Sequence, residues 1–169
     1  SVLDIGCGTG DVLLQLAAFD AELECYGVDP SPAMLRIAAR NIAEAAYREG
    51  DPSSLEERIH LSLGSSRCIP FDKEFDLIFS TYSFHEWTDR EHSIAPILGR
   101  LKVGGAFAVY EYERDSVPTF FKLLFGRYML SRHEIESIQL EGAEKVVDAS
   151  NGLVAIKFKS HTRHAPVPP

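Results

Sequence analysis

The sequence is poor in cysteine, tryptophan and positive charge, and it has no long apolar run. Its 169 residues include three cysteines, Cys7, Cys25 and Cys68. They are scattered, their odd number makes no closed disulfide framework, and no spacing among them marks a metal site. This usage points to a reducing, cytoplasmic setting. No apolar stretch approaches the ~18 residues that suggest a membrane span. The apolar start at Val2 also lacks the basic leader of a secretory signal. Lys and Arg total 17 against 25 Asp and Glu, a formal net charge of −8. That deficit argues against a protein that grips a phosphate backbone by bulk electrostatics, so no nucleic-acid partner is expected. Lys157, Lys159 and Arg163 near the end of the chain are too few to reverse it. No set of His, Asp and Glu has ligand spacing, and no metal is expected. There is no internal repeat and no linker.

What is present is concentrated in the first ten residues. Val2, Leu3 and Ile5 form a short apolar run that stops at Gly6, Gly8 and Gly10. A helical apolar pattern follows from Asp11. This reads as buried strand, tight glycine loop, helix. Without a Cβ in the way, loop N–H groups can approach a ligand closely. The helix N-terminus adds donors and partial positive charge. A second apolar run, Leu23 to Val28, ends at Asp29. An acidic residue about 20 positions beyond the glycines, at the end of the next strand, can accept hydrogen bonds from ribose hydroxyls. The dinucleotide pattern would need glycine where Asp11 stands. A carboxylate suits a ligand carrying sulfonium and ammonium charges better than a pyrophosphate.

Val2-Leu3-Asp4-Ile5-Gly6-Cys7-Gly8-Thr9-Gly10 resembles the first motif of class I S-adenosylmethionine (SAM) dependent methyltransferases. Gly27 to Leu35 is similar to the second-strand motif of that family. Phe75 to Phe79 and Leu101 to Phe107 resemble its fourth- and fifth-strand motifs. The matches come in family order and cover most of the chain. The resemblance implies a Rossmann-like, doubly wound α/β fold, with a seven-stranded, mostly parallel sheet between two helical layers and a C-terminal antiparallel hairpin. It implies SAM as cofactor, with S-adenosylhomocysteine (SAH) as its product, and a small-molecule methyl acceptor. The family usually places helices before the first strand. The chain starts on that strand, so the expectation is that an N-terminal cap-helix region is missing from the sequence.

Taken in order, helices are predicted over 11–19 and from Pro32, with Ser31 as N-cap, to about Tyr47. Strands are predicted over 23–28, 59–63, 75–80 and 106–112. Gly50 to Ser54 reads as a loop, 94–101 as part of a helix, and Lys102 to Gly105 as a turn. The aromatic stretch Phe120 to Leu130 reads as a helix covering the sheet, with a lid over the substrate as the alternative. Ser131 and Glu134 form a capping-box signal for a helix to Leu140. Strands 145–149 and 153–158, joined at Asn151-Gly152, give a hairpin signal. Residues 1–160 read as one SAM-binding domain and 161–169 as a flexible tail.

By the resemblance, Asp4 and the loop residues Gly6, Cys7, Gly8 and Gly10 hold the methionine part of SAM. Asp29 holds the ribose, and Pro30, Ser31 and Met34 line the adenine side. Ser65 stands where many members have an aspartate for the adenine amine, and Ser66 offers a backbone N–H beside it. Ser80 ends the fourth strand, where carbonyls receive the SAM ammonium. The stretch Thr81 to Trp87 is the expected substrate wall, built by Tyr82, Phe84, His85, Glu86 and Trp87. His85 is the candidate catalytic residue, because an imidazole with a pKa near ~6.5 suits a general base. Each has a plainer reading. Asp29 caps a helix, His85 packs against Trp87, and the aromatics fill the core. Glu111, Tyr112 and Glu113 either face the acceptor or form a solvated strand end. Two other functions share this core: methylation of RNA or protein, and non-catalytic SAM binding with a scaffolding role. No Asn-Pro-Pro-Tyr-like motif of base methylases is present. A homodimer is allowed but not specified.

Overall fold

The structure is a computed structural model that describes residues 1–49, 52–88, 90–138, 143–150 and 153–160. Seven strands form one sheet: β1 (Val2–Ile5), β2 (Cys25–Asp29), β3 (Ile59–Leu63), β4 (Phe75–Thr81), β5 (Leu101–Tyr112), β6 (Ala143–Ser150) and β7 (Leu153–Ser160). Their order is β3-β2-β1-β4-β5-β7-β6. The first five are parallel, and β7 runs antiparallel to both β5 and β6. The helices are α1 (Asp11–Phe19), α2 (Pro32–Glu49), α3 (Pro52–Arg58), α4 (Arg90–Leu98), α5 (Thr119–Phe125) and α6 (Arg132–Ser137).

Strand alternation divides the core in two. Leu3, Ile5, Ile78, Phe107 and Val109 face a cluster completed by Ile94, Ile97 and Leu98 of α4 and Ile135 of α6. Their neighbours Val2, Phe79 and Ala108 face a second cluster with Leu13 and Ala17 of α1, Ile42 and Ala46 of α2, and Leu55 of α3. Side chains pointing alternately to opposite faces thus produce three layers. The strand order reverses between β1 and β4. In open sheets that switch leaves a crevice beyond the carboxyl ends of the strands.

Four local expectations need correction. Helix α3 begins at Pro52, inside the stretch read as a loop; proline is well placed at a first helical position. Strand β5 begins at Leu101, so the Lys102 to Gly105 turn is an irregularity within it. The pairing jumps from Phe75↔Leu101 to Leu77↔Ala106, as a bulge does. Helix α6 has the expected capping box between Ser131 and Glu134 but stops at Ser137. Helix α5 does not cover the sheet. None of its residues is buried, and Phe120, Phe121, Leu123, Leu124 and Phe125 are all exposed. The hairpin strands are present and longer than expected, while Asn151-Gly152 and the tail 161–169 lie outside the described residues.

Candidate active site

The loop after β1 turns sharply at Gly6, where φ is 81°. A Cβ added there would lie 2.6 Å from Ser83 Cβ and would strike its Oγ. Ser83 Oγ donates to the Ile5 carbonyl at 2.9 Å and lies 2.7 Å from Ser80 Oγ. The loops after β1 and β4 are therefore fastened together, and only glycine leaves room for the clasp. At Gly8 φ is 53°, and a Cβ would meet nothing within 4 Å. That side of the loop is open space.

Four of the loop's N–H groups are engaged within the fold. Gly6 and Cys7 N–H both donate to the Val28 carbonyl, Gly10 N–H to the Cys7 carbonyl, and Gly8 N–H to Asp29 Oδ2 at 2.9 Å. Asp29 Oδ1 accepts from Ser31 N–H at 2.8 Å. Asp29 thus satisfies one of the loop N–H groups and holds the turn into α2. Each of its oxygens keeps a second lone-pair direction. Asp4 is different. It is 3% exposed, and its Oδ1 is the buried side-chain atom, among the described residues, that has no hydrogen-bond partner. Burial first, then the nearby charge of Asp29, pushes its carboxyl up to about 7. Such an orphaned oxygen costs free energy until a cation or donor meets it.

Beyond these strand ends lies a cavity of about 240 Å³. Ile5, Gly6, Asp29 and Pro30 line one side, and Ser65, Ser66 and Arg67 line another. Ser83, Glu86, Trp87, Thr88 and Ser93 close it. Of the expected cofactor residues, Gly6, Asp29, Pro30, Ser65 and Ser66 therefore reach the cavity. Asp4, Cys7, Gly8, Gly10, Ser31, Met34 and Ser80 are not part of its wall. Cys7 packs in the cluster under α1, and burial pushes its thiol up to about 12. It stays protonated at neutral pH and is no nucleophile. Ser80 is fully buried against Ser83, and Met34 is exposed on α2.

Ser83, Thr88 and Ser93 were not singled out by the sequence. Ser93 Oγ lies 2.9 Å from Ser66 Oγ, with both buried. No local spacing rule links residues brought together only by α4 packing on the sheet.

The acceptor side departs further from expectation. Phe84 is fully buried, 4.8 Å from Trp87 and under the Arg90 guanidinium. It is core and walls no substrate, because the 3₁₀ turn Phe84–Glu86 directs it inward. Trp87 belongs to both, packing on Phe84 while lining the cavity. Tyr82 has φ 54°, rare for an aromatic residue. Its ring stacks on Tyr112 at 4.9 Å, with both rings about half exposed. Glu86 lines the cavity with an exposed side chain.

Glu111 and Glu113 are not a solvated strand end. Glu113 pairs with Arg132 at 2.8 Å. Glu111 is 0% exposed, and both its oxygens lie 3.2 Å from His85 Nδ1. The His85 backbone N–H also donates to it at 3.1 Å. Burial raises the Glu111 carboxyl, and His85 opposes that shift.

Residues 2–105 match the family described as methyltransferase domain. The chain belongs to that family. It is 30% identical over 134 residues to the uncharacterized methyltransferase YdaC of Bacillus subtilis, covering 78% of this chain and 67% of that protein. It is also 30% identical over 133 residues to the ubiquinone/menaquinone biosynthesis C-methyltransferase UbiE of Geotalea daltonii. That match covers 76% of this chain, which spans about half (52%) of the relative's length. Among solved structures, the plantazolicin methyltransferase BamL, a complex with SAH, has the same fold. Its TM-score is 0.72 at 14% identity, over 95% of this chain and 77% of that one. The [4+2]-cyclase SpnF is 31% identical over 67% of this chain and 39% of its own, with a TM-score of 0.56. No helix among the described residues is long and apolar enough to cross a membrane.

Proposed function

We propose that this methyltransferase domain binds SAM beyond the carboxyl ends of β1 to β4 and catalyses methyl transfer to an O, N or C atom of a small-molecule acceptor. The observation that carries the reading is the orphaned oxygen of Asp4, buried two residues before the glycine loop and within the field of a second carboxylate, Asp29. A ligand with an ammonium and a sulfonium charge is what such a site lacks. The residues present therefore fit the group. Asp4 and the loop through Gly6, Gly8 and Gly10 would hold its methionine part. Asp29 would take the ribose hydroxyls, with Pro30, Ser31 and Met34 on the adenine side and Ser65 and Ser66 at the far wall. The Ser80 carbonyl would meet the ammonium. When bound, SAM supplies an electrophilic methyl group with a neutral thioether as leaving group.

The protein's share is alignment and exclusion of water, which can carry much of the rate. Ile5 and Trp87 give the cavity apolar walls, and the clasp from Ser83 to Ile5 fixes the floor. Tyr82, Glu86 and Trp87 stand on the acceptor side. The names of the relatives and neighbours, which include quinone and plantazolicin methyltransferases, support a small acceptor. Residues 1–160 form the cofactor-binding unit, and the free thiols Cys7, Cys25 and Cys68 suit a reducing cytoplasmic setting.

The likeness to a cyclase favours a second reading, in which the pocket does not transfer methyl groups. Calorimetric titration with SAM and SAH, followed by transfer of labelled methyl to an acceptor panel, separates the two. Saturable binding of both ligands with label in a product supports the methyltransferase. Binding without transfer to any acceptor favours the second reading, and no binding removes both.

A further inference from the structure

We propose that His85 and Glu111 form a base and its positioning residue, and that the acceptor is therefore a compound with an acidic hydroxyl on an aromatic ring. The proposal rests on the methyltransferase reading above. The two residues are distant in sequence and meet because β5 runs beside β4 and the turn after β4 folds over its end. Glu111 has no solvent contact, yet its carboxylate is directed at one imidazole. Burying a carboxylate is costly unless it is paired. A loop histidine that merely fills space does not need one.

The geometry fixes the tautomer. Nδ1 faces both oxygens of Glu111, so the neutral ring carries its proton there. Nε2 is left as the acceptor. Nε2 lies 3.9 Å from Glu86 Oε1, and Glu86 lines the cavity. The other groups facing the ring are accounted for. Tyr128 stands edge-on at 5.7 Å from the turn Gly126–Tyr128. From α4, Arg90 donates to the carbonyls of Phe84 and His85 and is itself paired with Glu134 of α6. Glu86 belongs to the same turn as His85. The ring thus has a buried anion behind it and an exposed anion and aromatic surface around it. Its side chain is 9% exposed, it stands behind Glu86 rather than in the cavity wall, and Nε2 makes no hydrogen bond among the described residues.

In the proposed step the acceptor O–H bond breaks and an N–H bond forms at Nε2. The electron pair stays on the oxygen as the nucleophile. Where the ortho ring carbon takes the methyl group instead, its C–H bond then breaks, the proton goes to solvent and the pair restores the aromatic ring. The imidazolium is held by Glu111 until it returns the proton to solvent. A phenol needs this help at neutral pH because its own pKa lies near ~10, as for tyrosine. A neutral amine already carries its lone pair, and a thiol ionises more readily unaided. The half-exposed stack of Tyr82 on Tyr112 and the cavity face of Trp87 offer flat apolar surface for such a ring.

The test compares wild type, His85→Gln and Glu111→Gln on phenols of graded acidity, with SAM binding measured on the same samples. With 4-methoxyphenol, His85→Gln should lose about 100-fold or more in kcat. Glu111→Gln should lose about tenfold. With 4-nitrophenol, which ionises unaided near neutral pH, the His85→Gln deficit should shrink to about threefold or less. A purely structural role predicts an equal deficit across the series, and that result overturns the proposal. SAM binding with methylation of amines or thiols but of no phenol overturns it too, while leaving the methyltransferase reading intact. Loss of SAM binding by wild type would instead strike the reading beneath it. Nitrogen-15 NMR gives a readout independent of turnover. The His85 signals, assigned by their loss in His85→Gln, should show the proton of the neutral ring on Nδ1. A proton on Nε2 overturns the proposal.

Discussion

The β1–β2 side of the cavity and its β4–β5 side each bury a carboxylate, and they treat it in opposite ways. Asp4 sits on the sheet face covered by α1 to α3 and is left without a partner at Oδ1. Glu111 sits on the face covered by α4 and α6, and His85 answers both of its oxygens. Each is pushed up by burial. Only the first is left for an outside group to satisfy. The difference teaches where a site expects a ligand and where it has already armed a side chain: an unmet buried charge asks for a cation, and a met one orients its partner.

The glycine loop gives the largest expected effect on the first side. Gly6→Ala places a Cβ against Ser83 at a positive φ. The left-handed conformation alone costs an alanine roughly 1–2 kcal/mol, and parting the Ser83 clasp adds to it. The expected loss is about 2–3 kcal/mol of stability in urea unfolding, with SAM binding abolished in calorimetry. Gly8→Ala has the same kind of backbone conformation but open space around it. It should cost only about 1 kcal/mol of stability while still weakening SAM at least tenfold. Equal effects of the two substitutions on both measurements would show that the open side of Gly8 faces no ligand.

Asp4→Asn comes next and breaks the comparison directly. The carboxyl ionises near pH 4 in an unfolded chain and at about 7 in the folded one. Between those limits the folded state holds the extra proton. This contribution to stability is full below about pH 4 and is lost as the pH rises through 7. At about 1.4 kcal/mol per pH unit, the loss is on the order of 2–4 kcal/mol. Asn carries no charge, so the variant should be more stable than wild type at pH 8 by about 2 kcal/mol and show little difference at pH 4. Its affinity for SAM should fall at least tenfold. Binding to wild type at pH 6 should release a proton, seen as a dependence of the calorimetric heat on buffer. A variant that is no more stable at pH 8 and binds SAM normally would make Asp4 a structural acid.

The two sides also differ in how far the sequence exposed them. Loop, strand and helix around Gly6 to Asp29 were legible because their signals are local: glycine spacing, an acidic residue at a strand end, Ser31 before Pro32. The layer structure was implied by the resemblance of four strand motifs, in order, to the methyltransferase family. The β4–β5 side depends on what meets what. Phe84 and Trp87 carry the same aromatic signal, yet one is core and the other lines the cavity, since a 3₁₀ turn has no readable periodicity over three residues. The link between His85 and Glu111, and those between Ser83 and Gly6 and between Ser93 and Ser66, appear only when strands and α4 are in place. Helix α5 differs from expectation for the converse reason. Its apolar residues suggest burial, but none of them is buried.

Ser65 and Ser66 offer the smallest and sharpest comparison, because they are adjacent residues of one type with different surroundings. Both line the cavity. Ser66 is buried, with its hydroxyl 2.9 Å from that of Ser93. Ser65 belongs to a short turn, where its backbone pairs with Cys68 and its hydroxyl accepts from Arg67 N–H at 3.4 Å. Removing the Ser66 hydroxyl deletes a buried hydrogen bond to Ser93, so Ser66→Ala should cost about 1 kcal/mol in the urea unfolding free energy. Ser65→Ala should cost less than about 0.5 kcal/mol, since the bond it loses is long and partly solvated. If Ser65 reaches the adenine, its loss should appear instead as a few-fold weaker titration with SAM. A Ser65→Ala protein with unchanged SAM affinity would move the adenine contact to the backbone of Ser66, which the alanine substitution there preserves.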